Sequence, residues 1–256
     1  MRGGGKAPGG HMLERMREVV APGENEALWD LQNLARAEGL GDWMFDQFAP
    51  RIGPRVAEVG AGIGTFSKRL LATGVVEHLL LIEPEPACAE ILEDEYSDDE
   101  RVRVTRDALP DAESLHDEGD FDLVLCQNVL EHIDDHHAAV RSMADALRPG
   151  GSLTLLVPAH PRLYGSLDRR YGHFRRYTRP VLREAMVQAE LEVEDLYSFN
   201  LLGVPGWWVS SRRSDPSLSS GALGAYELLL RAWRPIEDRV RVPWGLSLVA
   251  HGRKPR

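Results

Sequence analysis

At 256 residues and 43% hydrophobic content the chain can build one large α/β domain with an ordinary core, and a formal net charge of −10 argues against a general binder of nucleic acid or anionic membrane. Cys88 and Cys126 are the only cysteines, too few and too far apart for a disulfide framework or a zinc site, so a reducing cytoplasm is expected. No apolar run reaches the roughly 18 residues of a membrane span, so no integral membrane segment is expected.

Met1 to Met12 are Gly-rich, end in His-Met and read as an expression-tag remnant outside the fold. Residues 13–50 read as an N-terminal helical cap. Ala27, Leu28, Leu31, Leu34 and Ala35 share one helical face, Gly39-Leu40-Gly41 breaks the pattern, and Asp42 is placed to cap a second helix, Trp43 to Ala49. Trp43 would then cover a cofactor held by the turn that follows, or simply pack its helix.

Val56 to Val59 reads as a short strand, Gly60-Ala61-Gly62-Ile63-Gly64 as a glycine turn, and Thr65 to Ala72 as a helix. Glycine lets the backbone turn tightly and lie against a ligand, and the helix aims its free N–H groups at the same place. This reads as a nucleotide cradle, with a flavin or nicotinamide site and a plain tight strand–helix turn as the alternatives open to the glycine pattern alone. A dinucleotide cradle reads G-x-G-x-x-G, whereas here Thr65 stands where the last glycine would fall. Glu58, two residues before Gly60, is poorly placed for a pyrophosphate and well placed near a cationic ligand. His78 to Glu83 is an apolar run ending in an acid, as in a buried parallel strand. Glu83 follows Gly60 at the spacing from which a carboxylate bonds ribose hydroxyls. Pro84 and Pro86 start a helix running to Glu95. Arg101 to Val104 reads as a third strand, after which Asp107 could meet the exocyclic amine of an adenine, with the Ala108 N–H facing the ring. Ser114 to Asp120 reads as a loop or short helix. Phe121 to Asn128 reads as a fourth strand opening into Val129-Leu130-Glu131-His132-Ile133. Leu147 to Gly151 reads as a helix end and turn feeding a fifth strand, Ser152 to Val157.

The segments E-V-G-A-G-I-G, I-E-P, R-D-A, F-D-L-V-L-C-Q-N-V-L-E-H-I and L-R-P-G-G-S-L-T-L-L-V-P follow in the order and spacing of class I S-adenosylmethionine (SAM) methyltransferases, and the chain resembles the group carrying V-L-E-H-I. The resemblance implies a Rossmann-like α/β fold. Its sheet would be seven-stranded and mostly parallel, the last strand antiparallel, with helices on both faces and lid insertions after strands 5 and 6. It implies SAM as cofactor and S-adenosylhomocysteine (SAH) as product. The cofactor-binding set would be Trp43, Glu58, Gly60, Ala61, Gly62, Gly64, Glu83, Pro84, Asp107, Ala108, Gln127, Asn128 and His132.

His132 and His136, four residues apart, could make a two-histidine face, but no third ligand is evident and no metal is expected. The methyltransferase domain would span 51–256, with a lid at 160–179 and an insertion at 204–243. The lid is rich in arginine and aromatic residues in an acidic chain, a composition suited to an anionic or polar acceptor. Arg175, Arg176, Tyr164, Tyr177 and Trp207 are the candidate substrate contacts. His132, His160, His173, Asp168 and Tyr164 are the candidate catalytic residues, the histidines because they titrate near neutrality. Thr178 would cap a helix to Ala189, Glu192 to Ser198 would be strand six, Ser210 to Gly224 reads as a mobile loop, Ala225 to Trp233 as a helix, and Trp244 to His251 as the last strand. The expected function is methyl transfer from SAM to an oxygen or nitrogen of a small molecule, by a monomer or homodimer that binds no nucleic acid. The alternatives are a SAM-fold enzyme of another reaction, such as a cyclisation, and a non-catalytic SAM-binding protein.

Overall fold

The computed structural model describes residues 37–212 and 220–256. The first predicted helical face and the tag-like segment lie outside them, as does part of the predicted loop before residue 225. Seven strands form one sheet in the order β3-β2-β1-β4-β5-β7-β6. They are β1 (Arg55–Val59), β2 (His78–Ile82), β3 (Val102–Thr105), β4 (Phe121–Gln127), β5 (Leu147–Pro158), β6 (Glu192–Phe199) and β7 (Ser247–Arg253). Strands β1 to β5 run parallel, and β7 is inserted antiparallel between β5 and β6. The apolar run of β2 is buried along four of its five residues, as expected of a strand covered on both faces.

The helices are α1 (Glu38–Asp46), α2 (Thr65–Ala72), α3 (Pro86–Glu95), α4 (Glu113–Glu118), α5 (His136–Asp145), α6 (Ser166–Arg170), α7 (Arg179–Gln188), α8 (Gly203–Ser210) and α9 (Ser220–Glu237). Alternate strand residues face opposite sides. Ala57, Leu80, Val124 and Leu155 pack on one side with Leu115 of α4, Val140 of α5 and Leu182 of α7. Val56, Leu79, Leu81 and Leu125 pack on the other with Leu70 of α2 and Leu92 of α3. A third cluster joins Trp43 and Met44 of α1 to Phe199, Val249 and Leu230 of α9.

Three local expectations change. The helix predicted from Trp43 starts at Glu38 and runs straight through Gly39-Leu40-Gly41. The backbone N–H groups of Gly39 and Leu40 both donate, at 3.0 Å, to the carboxylate of Glu227 on α9. That carboxylate satisfies two otherwise orphaned donors and complements the positive end of the helix. Leu147 to Gly151, expected as a helix end and turn, already belongs to β5, where Leu147 pairs with Phe121 before a bulge. The last helix begins at Ser220, inside the predicted loop. Among the described residues no helix is long and apolar enough to cross a membrane.

Candidate active site

The strand register sets the cradle. Val59 pairs with Ile82 on one side and Cys126 on the other, so Gly60, Glu83 and Gln127 stand level at the carboxyl ends of three adjacent parallel strands. In open α/β sheets this is where ligands bind. Gly60 has φ +71, and a Cβ there would fall 2.1 Å from Val129 Cγ2, so only glycine lets the turn lie against the loop after β4. The Gly60 N–H donates to Ile82 O at 2.8 Å. The Glu83 carboxylate, 7% exposed, closes the turn from outside by accepting the N–H groups of Gly62 at 2.7 Å and Glu85 at 2.9 Å. A carboxylate has about four acceptor positions, so it retains capacity for hydroxyl donors. Burial pushes this carboxyl above its ordinary range.

Glu58 is more deeply buried and accepts the Ser67 hydroxyl of α2 at 2.6 Å. Burial, with Glu83 nearby, pushes its carboxyl up to about 8. The folded ligand-free protein therefore holds a proton here that the unfolded chain releases above its ordinary range. Stability should fall as pH rises from about 4.5 to about 8, by at most ~1.4 kcal/mol per pH unit from this group. Glu58→Gln, which keeps an acceptor for Ser67, is expected to flatten that slope in urea unfolding at pH 5 and pH 8. Equal slopes in variant and wild type would show that Glu58 is ionised in the folded chain.

Gln127 contributes the observation closest to a ligand. Both polar atoms of its side-chain amide are buried without a partner. Such atoms cost on the order of 1–3 kcal/mol unless something bonds them. Next to it Asn128 takes φ +52, and its N–H donates to Leu156 O. Ala61 and Gly64 complete the turn, with Gly64 as the left-handed N-cap of α2. Pro84 is exposed beside Glu83. Asp107 is half-buried, and its carboxylate accepts the Ser114 N–H at 2.8 Å, which holds it below the usual range; Ala108 beside it is exposed. Trp43 is placed in the third core cluster, 4.3 Å from the Phe199 ring, with its indole N–H on Asp238.

The lid docks on the loop after β4. The Phe174 N–H donates to Glu131 O and the Tyr177 hydroxyl to Leu130 O. Asp168, fully buried, accepts Arg176 Nε at 2.7 Å, His173 Nδ1 at 2.9 Å and the Gly165 N–H at 2.8 Å. Arg176 also donates to Ala159 O and lies over the Trp207 ring at 4.5 Å. Arg175 donates to Ile133 O and Asp134 O. Both arginines named as acceptor contacts thus spend donors on holding the lid. Tyr177 is in the core, and the Tyr164 hydroxyl donates to His173 O. His160 has φ +60, stacks on Trp244 at 4.7 Å and leaves its buried Nε2 without a partner.

His132 and His136 are not one helical face. Leu130 to His132 is a single 3-10 turn, and α5 begins only at His136. His132 meets His173 instead, their rings edge-to-face at 4.7 Å, with His173 Nε2 4.0 Å from Glu131 Oε1. Glu131 is 1% exposed, its Oε2 has no partner, and burial pushes the carboxyl up to about 8. Sequence reasoning passed over Glu131. Its only signal was an acid directly before His132, in the loop that leaves a ligand-facing strand end.

A twisted, mostly parallel sheet with a glycine turn, a ribose-spaced acid and an orphaned amide at its carboxyl edge defines a nucleoside-binding α/β enzyme of the class I methyltransferase type. A methyltransferase-domain family model matches residues 30–196, and the chain belongs to that family. The ubiquinone biosynthesis O-methyltransferase of Xanthomonas oryzae pv. oryzae (strain PXO99A) is 29% identical over 160 residues, covering 56% of this chain and 65% of that enzyme, so under two thirds of its length is spanned. The enzyme of the same name from Xanthomonas campestris pv. campestris (strain B100) is 28% identical over 188 residues, covering 66% of this chain and 77% of its own. Among solved structures, a SAM-dependent methyltransferase from Mesorhizobium loti superposes with a TM-score of 0.57 at 15% identity, over 85% of this chain and 100% of that one. The cyclase SpnF superposes with a TM-score of 0.54 at 18% identity, over 84% and 81%. These structural likenesses establish the fold. The cofactor of the family is SAM, and the cradle fits it: the turn and Glu83 suit the ribose, and Gln127 offers an unused donor and acceptor.

Proposed function

We propose that this chain transfers the methyl group of SAM to a hydroxyl oxygen of a small-molecule acceptor, with nitrogen as the next choice, in the cytoplasm. The observation that carries the reading is the docking of the lid, through Phe174 and Tyr177, on the loop that leaves β4 at the same edge of the sheet as the cradle. The names of the relatives favour oxygen. The net charge of −10 favours a small molecule over nucleic acid.

Gly60, Gly62, Glu83, Gln127 and the loop after β4 would hold the cofactor. When bound, the sulfonium supplies an electrophilic methyl group with a good leaving group. What remains for the chain is to align the acceptor, exclude water and provide for the acceptor's proton. The lid aligns and excludes. Titratable groups are concentrated where the lid meets the loop after β4, at Glu131, His132 and His173. Arg175 is engaged with the loop after β4 and Arg176 with Asp168 and Ala159, so an anionic acceptor would rely on other lid residues.

The test is to incubate the protein with SAM and a panel of phenols, hydroxybenzoates and amines, and to follow SAH release and acceptor mass. The expected result is SAH formation that depends on a phenolic acceptor, with that acceptor gaining one methyl group. SAM binding without acceptor-dependent SAH across the panel would overturn small-molecule methyl transfer, and an acceptor changed in structure at unchanged mass would favour the cyclisation reading.

A further inference from the structure

The loop after β4 and the lid together bring Glu131, His132 and His173 into one cluster. One ligand-capable atom from each lies within 4.8 Å of the other two. Three features distinguish this cluster from ordinary packing. First, Glu131 Oε2 is buried with no partner, although native folds rarely leave such an atom unpaired. The charge of Arg176 acts on Glu131, but its hydrogen bonds go to Asp168 and Ala159 and it lies against Trp207. Second, His173 is pre-oriented. Its Nδ1–H donates to Asp168, which leaves Nε2 as a lone-pair donor aimed at Glu131. A carboxylate behind the far nitrogen is the arrangement that fixes tautomer and raises basicity in metal-bound histidines. Asp168 is itself locked by Arg176 and by the Gly165 N–H. Third, His132 is the most exposed residue of the three, which gives an ion a way in.

We propose that Glu131, His132 and His173 form a binding site for one divalent metal ion of the zinc class, with Asp168 as the residue that positions His173. Two imidazoles and a carboxylate suit Zn²⁺, Co²⁺ or Fe²⁺ rather than Mg²⁺, which prefers all-oxygen sites. Ligand bonds of about 2.0–2.2 Å around a tetrahedral ion require ligand atoms roughly 3.4 Å apart, so the cluster must contract by about 1 Å on loading. That contraction would require the His132 ring to turn away from the Tyr171 backbone and the lid segment carrying His173 to advance. Three protein ligands would leave a fourth position for water or substrate. The ion would also tie the lid, through His173, to the loop after β4. If the chain methylates a hydroxyl, that open position is where the acceptor oxygen would sit; this last consequence alone rests on the proposed function.

The experiment is calorimetric titration of Zn²⁺ into the full chain after chelator treatment, with Co²⁺ as a spectroscopic probe. The expected result is one equivalent of Zn²⁺ bound at micromolar affinity or tighter, and intense visible bands for the Co²⁺ form, as in a four- or five-coordinate site. Glu131→Gln and His173→Gln should each weaken Zn²⁺ binding by at least about tenfold, and Asp168→Asn by a similar factor through loss of orientation. SAH titration into the same metal-free variants reports whether they fold and keep the cradle. If a variant fails that control, X-ray absorption at the zinc edge of the wild type decides, with two imidazoles expected. No stoichiometric binding, binding unchanged in both ligand variants, or an edge spectrum without imidazole would overturn the proposal. SAH binding in the absence of metal would leave the cofactor assignment standing whichever way the metal result falls.

Discussion

Asp168→Ala is expected to remove about 3–5 kcal/mol from the docking of the lid, because it leaves the Arg176 guanidinium buried without its counter-charge. Arg176 Nε sits 2.7 Å from Asp168, with side-chain exposures of 1% and 0%. His173 loses its Nδ1 partner and α6 the acceptor for its Gly165 N–H in the same step. If the lid unfolds with the rest of the domain, the melting temperature should drop by roughly 10 °C, taking about 2–4 °C per kcal/mol for a domain of this size. If it detaches alone, residues 160–179 should become the first site of proteolysis while the melting temperature holds. The double variant Asp168→Leu with Arg176→Met, which removes both charges and keeps the volume, should recover most of the loss. Wild-type melting and wild-type proteolysis in Asp168→Ala would show that the pair is not buried as described.

Glu83→Ala is expected to weaken SAM and SAH binding tenfold or more, corresponding to about 1.5–3 kcal/mol for hydrogen bonds to a charged group. The same carboxylate closes the glycine turn through the Gly62 and Glu85 N–H groups, so the variant loosens the cradle as well as losing ribose contacts. Glu83→Gln retains one acceptor oxygen and should fall between the two. Calorimetric titration of SAH into all three forms is the measurement, with thermal melting as the control for folding. Equal affinities would mean that the ribose is held elsewhere, and the cradle's role would shift to Gln127 and the backbone of the turn.

Much of this fold was legible along the chain because its signals are local. The β2 run is apolar because both faces are covered, and three glycines in five residues announce the turn. The helix from Thr65 to Ala72 has the predicted bounds because its N-terminus is set by that turn. The order of motifs carried the family resemblance for the same reason: each motif is a strand end with the loop it feeds.

What the sequence could not show depends on partners far along the chain. Gly39-Leu40-Gly41 reads as a helix breaker until Glu227, on α9, arrives to take its N–H groups. Arg175 and Arg176 read as acceptor-binding residues because a lid in an acidic protein invites that reading; only docking reveals that Ile133, Asp134, Ala159 and Asp168 take their donors. Glu131 stood inside the V-L-E-H-I motif, but nothing along the chain gave it a role of its own. Its candidacy comes from His173, 42 positions later, whose Nε2 stands 4.0 Å from its buried carboxylate. The sequence by itself determined most of the strands and the glycine turn, because the spacing of neighbours sets those, and its motifs carried the resemblance that implied the cofactor. The tertiary structure alone decided which charged side chains are structural and which are left unpaired, because desolvation and pairing are properties of the assembled crevice rather than of any stretch of chain.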